Sequence, residues 1–198
     1  MAEDYAVGES DRVLYAKQIE RIKLRLDEIH RLNRDMRDEH RVLYAAAQLR
    51  LAIEEVSFAS LVGNRKLLET AERSIRLNGW DKANKALSNV NPDYWPTGVI
   101  EVAHDDGRRS WEEAPDVLTV DEVPKIWGRL SAQLHAKNPY VTPLDLGTEA
   151  AFIRESSSRL VRTLNSHLIK LAGTSELLFC QAWSSPVRVY LFGKVGVE

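Results

Sequence analysis

Apolar side chains recur along residues 11–37 at Tyr15, Ile19, Ile22, Leu26 and Ile29, and the pattern continues through Asn33 to Met36. Steps of four and three alternate throughout, which is the a/d seam of a coiled coil, and an amide at an a position can fix register and strand number. The flanking positions do not reward a parallel pair, because Gln18 would face Lys23 and Arg25 would face His30. Two readings therefore stand side by side. Either this segment is an arm that pairs with a second copy or another protein, or it is an ordinary helix folded back on its own chain.

The pattern predicts a longer helix over about residues 38–76, with Gly63-Asn64 as a break. Between Ala45 and Val62 its apolar residues run nearly all the way round, the mark of a central helix. Arg50, Glu54 and Glu55 interrupt that stretch: charges in a buried helix can mark a site, and the competing readings are a structural ion pair or the one solvated strip of the helix. Trp80 opens a short helix to about Val90, after which Asn91-Pro92 and Trp95-Pro96 force extended backbone. Val99–Glu113 alternates as a hairpin about Asp106-Gly107, a favoured two-residue turn. That register sets Val102 against Trp111, Asp105 opposite Arg108 and His104 beside Arg109.

Thr119-Val-Asp-Glu122 is a capping box for a helix reaching about Ala136, and a further helix is predicted from about Glu149 to Leu171. Leu177–Trp183 and Val187–Phe192 flank Ser184-Ser185-Pro186 as a second hairpin. Its first strand is apolar on both faces, which predicts helical cover. Trp80 with Asn91-Pro92 is echoed by Trp127 with Asn138-Pro139, two helices opened by an indole and stopped in the same way. The whole reads as α+β and predominantly α-helical: a helical bundle core with two β-hairpins that can join in one small antiparallel sheet. Its expected divisions are a disordered N-terminus at 1–10, a coiled-coil-like helical arm at 11–43 and an α+β globular domain at 44–198.

Composition narrows the function classes. With 198 residues, 44% apolar and 28% charged, the chain is ordinary for a globular protein with a real core. A net charge of −2 gives no global basic footprint for nucleic acid, although residues 101–122 are acidic and the bases outnumber the acids from Lys125 onward. Cys180 is the only cysteine, which excludes an intrachain disulfide and a zinc site built on paired cysteines. The first ten residues lack the apolar run of a secretory signal, and no stretch approaches the ~20 apolar residues of a membrane span. A cytoplasmic protein without membrane association is expected.

Candidate chemistry is sparse. There is no phosphate loop, no GxGxxG and no GxSxG elbow, so no cofactor is expected. His30, His40, His104, His135 and His167 show no HxxxH or HExxH spacing, so no metal is expected. Arg25/His30, Arg34/His40, Arg129/His135 and Arg162/His167 each place a histidine five or six positions after an arginine. This spacing is similar to the Arg-to-His pattern of the HEPN ribonucleases, and the resemblance implies a ribonuclease or other hydrolase. Its candidate residues are His135, His40, Arg34, Arg162 and His167. His135 shares its helix side with Gly128, Ser131 and Ala132, where Arg129, Asn138 and Tyr140 could line a pocket. The competing reading has His135 and Asn138 capping the helix and His167 packing with Leu160, Leu164 and Leu171.

The sequence thus favours a protein-interaction or structural protein, acting through self-association or a protein partner, with the heptad helix as contact. The alternative is the hydrolase. A third reading is nucleic-acid binding through the basic C-terminal third, with Arg159 and Arg162 beside a platform drawn from the five tryptophans.

Overall fold

A computed structural model describes residues 7–33, 38–63, 80–135 and 145–193. Helix α1 spans Glu9–Leu32 and α2 spans Glu39–Gly63. Asp11 stabilises the start of α1 by accepting the Gly8 amide at 3.1 Å. The seam residues Tyr15, Ile19, Ile22, Leu26 and Ile29 are all 3% exposed or less. They pack against α2, whose buried positions Val42, Ala45, Ala46, Leu49, Ala52, Ile53, Val56 and Ala59 belong to the same core. The pair is an antiparallel helical hairpin: Arg25, late in α1, bonds Gln48 and Glu55 of α2. Each large side chain so buried contributes about 1.5–3 kcal/mol. All of them would have to be re-exposed before α1 could offer this seam to a partner.

Helices α3 (Trp80–Val90), α4 (Val123–Leu134) and α5 (Leu146–Asn165) complete the helical part among the described residues. The two tryptophans of the sequence echo meet. Trp80 and Trp127 stack with ring centroids 4.7 Å apart. Both are held to α2, Trp80 Nε1 donating to Ser57 Oγ at 3.3 Å and Trp127 Nε1 to Glu54 Oε1 at 2.8 Å. Pro124 fits the first turn of α4, where its missing N–H is no loss. The capping box forms only in part, and α4 begins at Val123. Glu122 accepts the Thr119 amide and hydroxyl, but it also takes Arg159 of α5.

The strands are β1 (Thr97–Ala103), β2 (Arg109–Glu113), β3 (Ser166–Lys170), β4 (Leu177–Gln181) and β5 (Arg188–Phe192). They form one antiparallel sheet in the order β2-β1-β3-β4-β5, so the two hairpins do join, through a strand the sequence reading placed in a helix. The expected helix to Leu171 stops at Asn165 because Ser166–Lys170 alternates. His167 and Ile169 turn into the core while the backbone pairs with β1 and β4. The first hairpin is also out of the expected register by one residue, Val102 facing Ser110 and Glu101 facing Trp111. His104 and Arg108 close a three-residue loop, with Gly107 at φ 79° taking the left-handed position.

Gly98 is where β1 crosses α5: a Cβ there would lie 2.9 Å from Val117 Cγ1 and 3.0 Å from the Thr163 backbone. The segment between β2 and α4 is strapped down at the same place. Arg162 bonds the Asp116 carbonyl and carboxylate, Arg159 bonds the Val117 carbonyl and Glu122, and the Leu118 amide donates to Thr163 Oγ1. Arg159 and Thr119 hold the Glu122 carboxyl down to about 2. One apolar core runs through both layers, from the α1–α2 seam to Leu164, Ile169, Leu178 and Cys180.

Candidate functional site

Strand pairing sorts the sheet into two faces. His167, Ile169, Leu178 and Cys180 lie toward the helices, and residues paired or alternate to them lie on the other side. On that open side Phe179 is the centre. It is 5% exposed, yet the cover the sequence reading expected from helices is instead supplied by the sheet's own aromatics. Trp111 of β2 reaches it with ring centroids 4.7 Å apart, Tyr190 stacks at 6.1 Å and Phe192 lies at 5.9 Å. Trp111, Tyr190 and Phe192 are themselves 46%, 40% and 51% exposed. An apolar strand side chain is thus buried beneath rings that remain open to solvent. The rim carries charge: Arg109 pairs with Glu101 at 3.1 Å on one side, and Arg188 opens β5 on the other. Such a surface has no acid–base or nucleophilic group at its centre. It can bury apolar area.

The residues singled out from the sequence go elsewhere. Tyr15, Ile19, Ile22, Leu26 and Ile29 are interior, and Asn33 caps α1, its amide N–H bonding the Ile29 carbonyl. Arg34, Met36, Asn138 and Tyr140 lie outside the described residues. His40 is on the surface, and His135 is the exposed C-cap of α4 in extended conformation. Arg129 turns away to form a bidentate pair with Glu149, its guanidinium 4.0 Å over the Phe152 ring. Arg162 is held by Asp116, whereas His167 is fully buried on the far side of the α5–β3 junction. None of the Arg/His pairs with both members described converges on an open pocket.

His167 is a structural group. Its Nδ1 bonds the Leu164 carbonyl at 2.9 Å, so Nδ1 carries the proton and Nε2 accepts the Tyr15 hydroxyl at 2.7 Å. Burial lowers His167 to about 4 and raises Tyr15. Cys180, its neighbour across the β3–β4 ladder, is pushed up to about 12 by burial and stays a thiol. The charged positions of α2 also find partners. Glu54 receives Arg50 and Trp127. Glu55 receives Arg21 and Arg25. Arg159 and Arg162 form no platform with the tryptophans, since both hold the Asp116–Glu122 segment.

Sequence reasoning missed Trp111, Phe179, Tyr190 and Phe192 as one group. The usable signal was the period-two placement of Phe179, and of Tyr190 with Phe192, in the second hairpin. Among the described residues no three His, Cys, Asp or Glu side chains are grouped as a metal ion would require, and no helix is long and apolar enough to cross a membrane. No protein-family model, no curated protein and no solved structure matches this chain.

Proposed function

We propose that this chain is a protein-interaction module whose contact is the open sheet face built on Phe179. One observation carries the reading: Trp111, Tyr190 and Phe192 cover Phe179 yet stay about half solvent-exposed themselves, in a contiguous cluster. Contiguous exposed apolar surface marks interaction sites, and aromatic residues are enriched at the centres of interfaces. The contact differs from the one the heptad pattern suggested, because the seam of α1 is already used inside the chain. The lone buried thiol of Cys180 suits a reducing compartment, and we place the interaction in the cytoplasm.

The test compares the full chain with Trp111→Ser/Phe192→Ser by light scattering and by crosslinking in a cell extract. The double variant should stay folded, at a cost of about 1–3 kcal/mol from uncovering Phe179, while losing the complexes that wild type forms. A wild-type chain that stays monomeric at high concentration, and captures nothing the variant does not also capture, would end this reading.

A further inference from the structure

We infer that β5 is a self-association edge: two copies of this chain join their β5 strands antiparallel across a two-fold axis at Tyr190, extending one sheet through both. This rests on the open-face reading and names the occupant as a second copy.

Backbone phase supplies the first argument. The Ala182 amide donates to the Asn165 carbonyl and the Leu171 amide to the Glu176 carbonyl. In an antiparallel ladder this makes His167–Cys180 and Ile169–Leu178 the hydrogen-bonded pairs of β3 and β4. Leu177, Phe179 and Gln181 therefore bond across to Phe192, Tyr190 and Arg188. The N–H and C=O groups of Val189 and Leu191 are left pointing away from the sheet, with no strand beyond β5 among the described residues. A two-fold axis at Tyr190 sets Val189 against the partner's Leu191, and Leu191 against the partner's Val189. Every outward group of β5 then has a bonding counterpart.

Side chains agree with that pairing. Val189 and Leu191 share the helix-facing side, so antiparallel self-pairing leaves both aromatic faces on the same side of the joined sheet. The cluster of each copy then runs through Tyr190 into the other. Joining β5 to β2 of a second copy does not achieve this. The bonds from Ala114 to Gly98 and from His104 to Arg108 make Arg109, Trp111 and Glu113 the outward residues of β2. Trp111 would then pair with Val189, and the aromatic faces would fall on opposite sides.

Charge separates the two edges. The hairpin at 97–113 carries Glu101, Asp105, Asp106, Glu112 and Glu113 against Arg108 and Arg109, so two β2 edges repel. Strand β5 holds one formal charge, Arg188, which the two-fold sets across from the partner's Phe192 instead of a like charge. No proline or lysine blunts it, as natural edges that avoid pairing are blunted.

The experiment exploits the self-pairing of position 190. Sedimentation or light scattering of the wild-type chain should give a concentration-dependent species of twice the chain mass. Tyr190→Asp and Tyr190→Lys should each weaken it by about tenfold or more, since like charges then lie directly opposite. An equimolar mixture of the two should restore it. As a second readout, Tyr190→Cys should give a covalent dimer on mild oxidation, whereas Arg188→Cys should not, because position 188 lies across from 192. A monomeric wild type, a dimer indifferent to both charges, or a mixture that fails to recover overturns the inference. If the wild type is monomeric yet still captures another protein through Trp111 and Phe192, the second-copy inference falls and the interaction module stands.

Discussion

Mild acid should destabilise this protein through one imidazole. In the folded chain His167 is fully buried, with Nδ1–H committed to the Leu164 carbonyl and Nε2 to the Tyr15 hydroxyl, and burial lowers it from about 6.5 to about 4. The unfolded chain therefore binds the extra proton first. Stability from the neutral buried ring is complete above about pH 6.5 and declines as pH falls, at about 1.4 kcal/mol per pH unit, until the folded form also protonates near pH 4. The full span amounts to about 3 kcal/mol. The Glu122 carboxyl, held down to about 2 by Arg159, loses its contribution as pH falls through about 4.5 and below, under most of that window.

Urea unfolding of wild type and His167→Gln between about pH 7.5 and about pH 4.8 isolates the effect. Wild type should lose about 2 kcal/mol over that range. The variant should start about 1–3 kcal/mol lower at neutral pH, from imperfect bonding to Tyr15 and Leu164, and then remain nearly flat. The two curves should converge toward acid. A variant as pH-sensitive as wild type would refute the reasoning.

Three further outcomes follow from the packing. Gly98→Ala should lower stability by about 1–3 kcal/mol in thermal or urea melts, because the new methyl meets Val117 and the Thr163 backbone. Glu55→Gln should cost about 1–3 kcal/mol by leaving Arg25 part-buried without its carboxylate, whereas Arg21→Ala should cost under about 1 kcal/mol, its side chain being 61% exposed. Equal losses would contradict that division. Trp80→Phe and Trp127→Phe should each remove the same coupled indole signal from the circular dichroism spectrum, since the two rings stack; two independent decrements would show otherwise.

The legibility of this chain followed the strength of its local periodicity. The α1 seam was readable as a helix from spacing alone, but spacing cannot distinguish a neighbour in the same chain from one in another. Helix α5 was overextended because Leu160, Leu164, His167 and Leu171 continue helical spacing with no glycine or proline to stop it. The ladder with β1 and β4, a long-range interaction, overrides that local preference. The first hairpin slipped by one because Asp106-Gly107 satisfies a two-residue turn on paper, while the chain uses Gly107 as the left-handed residue of a longer loop. The aromatic face stayed hidden because β4 is apolar on both sides. Which side the helices leave open depends on the order of strands far apart in sequence.

Helix α5 ends at Asn165 and β3 begins at Ser166, so the joint between the helical layer and the centre of the sheet contains no loop residue. Arg162 grips the Asp116 segment one turn before that joint, and His167 is pinned to Leu164 and Tyr15 immediately after it. No backbone slack is available there to absorb a rotation. The end of α5, β3 at the centre of the sheet and the strap at Asp116 are thus held as one rigid unit, and a change of twist at β3 is felt directly at the turn that carries Arg162.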